Sequence, residues 1–252
     1  MFFMKLAKKL FVKTFTCLPR VIQKYLLTIN LINKRVRFSY ESTLQKLIGK
    51  KSSFRFILIG ANDGLSFDDL FDYLDPIKTA GILVEPSPKY FQLLKSNLSS
   101  FNKIIFLNIA LFKERSLIKL YELNEFGLAK LPEWGRGIGS FSKEHLLKFG
   151  VDNSDIKELE VQTLPFMEIL KSYPEFHQVD YLQIDTEGYD AEIIKMIDFK
   201  KFHVKLIKFE SINLKKGDMK ELEQQFKKAK YQFFKGKEDS YAVHNSIKTI
   251  FK

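Results

Sequence analysis

Two hydrophobic patterns alternate along this chain. One is a short apolar run that stops abruptly at a glycine or an acid. Phe54 to Ile59 stops at Gly60, Gly81 to Val84 at Glu85, Val179 to Ile184 at Asp185, and Val204 to Phe209 at Glu210. Runs this short, rich in β-branched and aromatic residues, read as strands buried on both faces of a parallel sheet. Lys103 to Leu111 is a further strand candidate, and Glu158 to Thr163 and the alternating Leu117 to Leu123 read as added strands. The other pattern repeats at three and four residues and predicts helices over Ser66–Leu74, Lys89–Leu98, Ser142–Phe149, Leu164–Leu170, Ala191–Ile197 and Lys220–Lys230. Ser87 is a natural N-cap for the second of these, with Pro88 at its first position. Tyr231–Phe234 and Tyr241–His244 read as a closing antiparallel pair. Strands alternating with helices predict an α/β, doubly wound, mostly parallel sheet.

The N-terminal stretch differs. Phe3, Leu6, Ala7, Leu10, Thr14 and Leu18 share one helical face, and Lys5, Lys9 and Lys13 another. Pro19 breaks the pattern, Val21–Leu31 resumes it, and Glu41–Ile48 reads as one more short helix. The expected organisation is therefore a basic helical segment over residues 1–50, followed by the α/β domain over 51–252. A basic amphipathic helix suits an anionic membrane surface, and equally suits packing on its own domain. Lysines interrupt it too often for a signal-peptide core. No run of 18 uninterrupted apolar residues is present, so no spanning helix is expected.

Charge sharpens this division. The net charge is +11, but Met1–Arg55 holds 13 Lys or Arg against the single acid Glu41, leaving 28 basic and 29 acidic residues in the rest. The basic excess sits in the appendage, whereas a nucleic-acid enzyme usually surrounds its cleft with it. No nucleic-acid partner is expected. Cys17 is the only cysteine, which precludes an intramolecular disulfide and suits a cytoplasmic location, with peripheral contact at the inner membrane face through the basic segment. A total of 252 residues, 45% of them hydrophobic, supports one substantial core.

The candidate chemistry begins at Gly60-Ala61-Asn62-Asp63-Gly64, directly after the first strand. Two glycines there permit a sharp turn and a close approach to a ligand. Glu85 follows Gly64 at about the 20-residue spacing expected of an acid that accepts ribose hydroxyls. Asp185 and Glu210 end later strands, and the carboxyl ends of strands line the ligand crevice of such a sheet. Each acid also has a plainer reading, as a helix cap or a solvated strand end. Glu133 to Phe141 places Gly135, Gly137 and Gly139 beside Trp134 and Arg136. That composition reads as a mobile or ligand-hugging loop, without the ending of a phosphate-binding loop.

These motifs carry a resemblance. Ile59 to Gly64, Val84-Glu85-Pro86-Ser87-Pro88 and Leu182-Gln183-Ile184-Asp185-Thr186-Glu187-Gly188-Tyr189-Asp190 resemble the FkbM-type methyltransferases, from about Phe54 to His244. The resemblance implies a class I, Rossmann-like methyltransferase fold, an S-adenosyl-L-methionine cofactor, and transfer to a hydroxyl of a sugar or natural product. It implies that Gly60, Ala61, Asn62, Asp63 and Gly64 hold the methionine part of the cofactor, that Glu85 takes the ribose hydroxyls, and that Pro86 is a further cofactor-binding residue. Asn108 and Ala110 would lie near the adenine, Ser140 near the cofactor, and Asp185 and Glu187 at the transfer site. Many class I enzymes carry an acid two residues before the first glycine; here that position is Leu58, so the cofactor's ammonium needs another acceptor, such as Asp63 or a backbone carbonyl.

A sugar hydroxyl is a poor nucleophile, so a positioned base helps. Asp185, Glu187 and His145 are the candidates, each with a structural alternative. Asp185, Glu187 and Glu210 also offer oxygen ligands that suit magnesium, but no spacing demands a metal and none is assigned. A nicotinamide-dependent oxidoreductase is the competing class, yet Gly60-x-x-x-Gly64 is not G-x-G-x-x-G and no Tyr-x-x-x-Lys pair stands in the expected place. A non-catalytic membrane-associated scaffold is the third, and the intact Asp185-Thr186-Glu187-Gly188 segment argues against it. The expected partners are a small-molecule or saccharide acceptor and, through the basic segment, a membrane or a glycosyltransferase.

Overall fold

The computed structural model describes residues 38–49, 53–66, 69–135 and 137–247. The described part of the N-terminal segment includes one helix, α1 (Tyr40–Gly49), where Glu41–Ile48 predicts it. Ser39 opens it, accepting from the Thr43 hydroxyl at 2.8 Å and, on its own hydroxyl, from the Ser42 amide at 3.4 Å. The amphipathic stretches Met1–Leu18 and Val21–Leu31 lie outside the described residues.

Residues 51–245 form a separate compact unit. Its strands are β1 (Phe54–Ile59), β2 (Thr79–Val84), β3 (Ile104–Leu107), β4 (Ala110–Leu111), β5 (Leu117–Leu123), β6 (Gly139–Ser140), β7 (Ile156–Leu164), β8 (Gln178–Ile184), β9 (His203–Glu210), β10 (Tyr231–Lys235) and β11 (Asp239–His244). Its helices are α2 (Pro88–Asn97), α3 (Glu125–Lys130), α4 (Lys143–Leu147), α5 (Phe166–Ser172), α6 (Asp190–Met196) and α7 (Lys216–Lys228). The main sheet runs β10-β11-β9-β8-β1-β2-β3, parallel except for the antiparallel pairings of β11 with β9 and β10. This is the α/β, mostly parallel Rossmann-like sheet that the sequence predicts, closed by its antiparallel pair.

The apolar runs become strands because both faces of this sheet are covered. On one face Ile57, Ile59, Leu182, Ile184 and Phe209 pack with Phe166, Ile194 and Phe226 of α5, α6 and α7. On the other, Phe56 meets Phe71 edge to face at 5.9 Å, and Phe71 meets Phe101 at 5.7 Å. A polar exception, Asp180 in β8, is buried but satisfied: it accepts from Lys205 Nζ at 2.7 Å and the Arg55 amide at 3.1 Å.

Register positions the chemistry. Ile59 is level with Val84 and Ile184, and Ile184 with Phe209. The next residue of each strand therefore falls in one row, placing Gly60, Glu85, Asp185 and Glu210 along the carboxyl edge of the sheet. Asp239 of β11, opposite Glu210, extends the row.

Three expectations are corrected. The Ser66–Leu74 helix is only a 3-10 turn over Asp69–Tyr73, with residues 67–68 outside the described set. Leu70, Phe71 and Leu74 are buried at helical spacing, but this single turn is enough to bury them. The strand Lys103–Leu111 is broken at Asn108-Ile109, and β4 pairs with β7 in a second sheet, ordered β4-β7-β5-β6, rather than extending β3. Ser87 does sit at the N-cap of α2 with Pro88 following, but its hydroxyl caps nothing; its amide instead donates to Glu85.

Candidate active site

The turn after β1 is built by glycine and by Glu85. Gly60 has φ +78°, and a Cβ placed there would stand 1.7 Å from the Asp185 carbonyl oxygen. Only glycine lets the tips of β1 and β8 lie this close. The Gly60 and Ala61 amides donate to the Val84 carbonyl at 2.9 and 3.0 Å. Asn62, itself left-handed at φ +49°, donates its amide to Glu85 Oε2 at 2.8 Å, and the Ser87 amide donates to Glu85 Oε1 at 2.8 Å. Asn108 Nδ2 donates to the carbonyls of Glu85 and Pro86 at 2.8 and 3.0 Å, pinning that loop from outside. Burial pushes the Glu85 carboxyl up to about 8 against its two amide donors, with Glu122 adding repulsion.

Asp63 is committed to its own turn. Its carboxylate accepts from the Leu65 and Ser66 amides at 3.0 and 2.9 Å and from the Ser66 hydroxyl. Partial burial pushes Asp63 upward, but these donors outweigh it and hold the group below its ordinary value. It also lines the cavity described below, and the lowered value keeps its carboxylate charged there.

At the tip of β8 the Asp185–Asp190 loop is locked from below. Buried Asp190 accepts from the Thr186 amide and hydroxyl at 3.2 and 2.8 Å and from the Glu210 amide at 3.2 Å. Burial pushes Asp190 up to about 7. From above, the loop is clamped by the second sheet. The Ser140 hydroxyl donates to the Glu187 carbonyl at 3.2 Å, and His145 Nε2 lies 3.1 Å from Glu187 Oε2. Phe112 stacks on Tyr189 at 5.3 Å, and Phe141 meets it edge to face at 5.2 Å. The glycine loop reaches the first turn as well: a Cβ on Gly137 would stand 2.1 Å from Asn62 Nδ2.

Between these elements lies a cavity of about 750 Å³. Its walls include the whole Gly60–Gly64 turn, Glu85, Pro86, Ala110, Asp185 and Glu187 from the sequence-derived set. Asn108, Ser140 and His145 do not line it and act on it through Glu85, Pro86 and Glu187. Sequence reasoning passed over the cavity-lining Glu122, Gln183, Lys208 and Asp239. Lys208 could have been found, since it stands two residues before the acid at the tip of β9 and so shares its face. Asp239 and Glu122 depend on strand pairings that no local pattern reports.

Carboxylate oxygens of Asp185, Glu187 and Glu210 lie within 4.8 Å of one another. Desolvation by the surrounding protein pushes the Asp185 carboxyl up to about 8, with added repulsion from Asp190 and Glu187 and opposition from Lys208. Solvent reaches Asp185 through the cavity and tempers that push. Burial pushes Glu210 up to about 8 too, with Glu187 and Asp185 adding repulsion. Asp185 accepts no hydrogen bond among the described residues, which leaves it free to act on a ligand.

The residues fit a nucleoside-bearing cofactor. The cavity lies within the roughly 300–1,000 Å³ of small-molecule sites, Gly60 puts no side chain between the turn and the cavity, and Glu85 in the cavity wall is fixed by two amides.

No curated protein matches the chain. Among solved structures, the METTL16 MTase domain is similar at 16% identity and TM-score 0.44, covering 81% of this chain and 64% of that one. Precorrin-6y C5,15-methyltransferase from Geobacter metallireducens GS-15 is similar at 12% identity and TM-score 0.39, covering 80% and 87%. Methyltransferase FkbM from Methylobacillus flagellatus KT is similar at 11% identity and TM-score 0.47, covering 77% and 44%. The chain thus spans less than two thirds of the first and third of these structures. The family itself is settled by a family model, the Methyltransferase FkbM domain, which matches residues 59–233. The chain belongs to the FkbM methyltransferase family.

Proposed function

We propose that this chain transfers a methyl group from S-adenosyl-L-methionine to a hydroxyl of a saccharide or natural-product acceptor. The observation that carries this reading is the row Gly60, Glu85, Asp185 and Glu210 along one cavity edge, in a chain of the FkbM family. The cofactor, when bound, supplies an electrophilic methyl group on a sulfonium. The Gly60–Gly64 turn, with no side chain at Gly60, lets it lie close against the backbone, and Glu85 accepts its ribose hydroxyls. Asp185 takes the proton of the attacking hydroxyl. A carboxylate raised toward neutral pH is a stronger base than an ordinary one, which suits that task. Glu187, held by His145, orients the acceptor beside it. His145 serves here as a positioning residue, since it stays behind Glu187 and outside the cavity wall.

An acceptor screen with isotopically labelled methyl donor tests the reading. Label should pass to hydroxyl-bearing saccharides or related small molecules. Asp185→Asn should then lower turnover on the order of 100- to 10,000-fold while cofactor affinity changes far less. Full activity in that variant removes Asp185 from the role of base.

A further inference from the structure

Glu122 is a buried acid with half of its bonding capacity unused. It sits in β5, opposite Gly139 of β6 on one side and Lys157 of β7 on the other. Lys157 Nζ lies 2.9 Å from Glu122 Oε2, an ordinary cross-strand ion pair. Such a pair does not require burial, yet Glu122 is only 4% exposed, and its Oε1 is buried without a hydrogen-bond partner among the described residues. A carboxylate oxygen left in that state destabilises a fold unless something else supplies a donor. Glu122 forms the cavity wall together with Leu120, Gly137, Ile138 and Gly139, on the side of the cavity contributed by the second sheet. Among the main-sheet residues of the wall, Leu58 stands two residues before Gly60, where many class I enzymes carry an acid, and Asp63 already accepts from two amides of its own turn.

We propose that Glu122 is a cofactor-binding residue, its Oε1 accepting a hydrogen bond from an N–H or O–H donor of the bound S-adenosyl cofactor. This rests on the cofactor assigned above and adds a contact from the second sheet to those of the main sheet. The donor is either on the adenosine or is the ammonium of the amino-acid part, and the two are separable by experiment.

The test is calorimetric titration of the full chain and of its Glu122→Gln, Glu122→Ala and Lys157→Ala variants. The probes are S-adenosylhomocysteine and 5′-methylthioadenosine, which lacks the ammonium. Loss of a charge-assisted bond should weaken S-adenosylhomocysteine roughly 10- to 100-fold in Glu122→Ala and in Glu122→Gln, whose one amide oxygen is drawn to Lys157 Nζ so that its NH2 meets the ligand's donor, with Lys157→Ala within about threefold of the parent. If Glu122→Ala does not fold, the near-isosteric Glu122→Gln carries the comparison. An equal loss with 5′-methylthioadenosine assigns the contact to the adenosine, and a loss confined to S-adenosylhomocysteine assigns it to the ammonium; both support the proposal. Unchanged affinity in folded Glu122→Gln overturns it, as does an equal loss in Lys157→Ala, which would show that only the strand pair matters. Failure of the parent chain to bind either probe overturns the methyl-transfer reading itself.

Discussion

Replacing Glu85 by alanine separates two jobs that one carboxylate performs. The side chain is buried and accepts the Asn62 and Ser87 amides at 2.8 Å each. Removing it leaves two amides without a partner, at about 1–3 kcal/mol each where water cannot replace it. The Asn62 side is only partly buried, so water takes over some of that loss. The expected destabilisation is then about 2–4 kcal/mol. In a unit of this size each kcal/mol lowers Tm by roughly 2–4 °C, giving a fall of roughly 5–15 °C by calorimetry. The second effect appears in binding: loss of the ribose acceptor should weaken S-adenosylhomocysteine by about 1.5–3 kcal/mol, or roughly 10- to 150-fold. Glu85→Gln keeps one acceptor oxygen and should fall between parent and alanine in both measurements. A lower Tm with unchanged affinity would confine Glu85 to building the turn. No change in either would refute the reasoning from its hydrogen bonds.

Other expectations follow from the same geometry. Gly60→Ala forces a Cβ against the Asp185 carbonyl and a side chain into φ +78°; the strained backbone alone should remove about 1–2 kcal/mol, and a Tm equal to the parent's would show that the two strand tips can part freely. Glu210 binds its proton more tightly in the folded chain, near 8, than at its ordinary 4.5, so unfolding releases a proton between those values and stability falls as pH rises through that window. Glu210→Gln should therefore flatten the decline of Tm from pH 5 to 8 relative to the parent, and an unchanged slope argues against the raised value. For the N-terminal segment we propose peripheral membrane attachment, on its concentration of 12 basic residues before β1. The full chain should float with anionic liposomes at low salt and a version starting near Lys50 should not, each basic residue contributing about 1 kcal/mol; absence of flotation, or aggregation of the shorter version, ends that idea. Among the described residues no helix is long and apolar enough to cross a membrane.

The core strands were legible because they are buried on both faces, so each apolar run marks its strand without help from its neighbours. The acids at their tips were legible because each run ends where the sheet ends. The break at Asn108 was not, since Ile104 to Leu111 is otherwise apolar and the turn is held by one amide reaching back to Glu85 and Pro86. Nor was the committed state of Asp63, which only the donors of residues 65 and 66 reveal. The His145–Glu187 pair joins residues 42 apart and needs the second sheet to bring them together. The motif named the acids at the site, while the fold decided which of them face the cavity.

The central claim is that the edge formed by Gly60, Glu85 and Asp185 binds an S-adenosyl cofactor, and a side-by-side calorimetric titration with S-adenosylhomocysteine and NAD tests it most directly. Saturable one-to-one binding of S-adenosylhomocysteine, sharply weakened by Glu85→Ala, with no heat of binding from NAD, is the predicted result. Binding of NAD in its place, or no binding of S-adenosylhomocysteine by the folded full chain, would contradict the account.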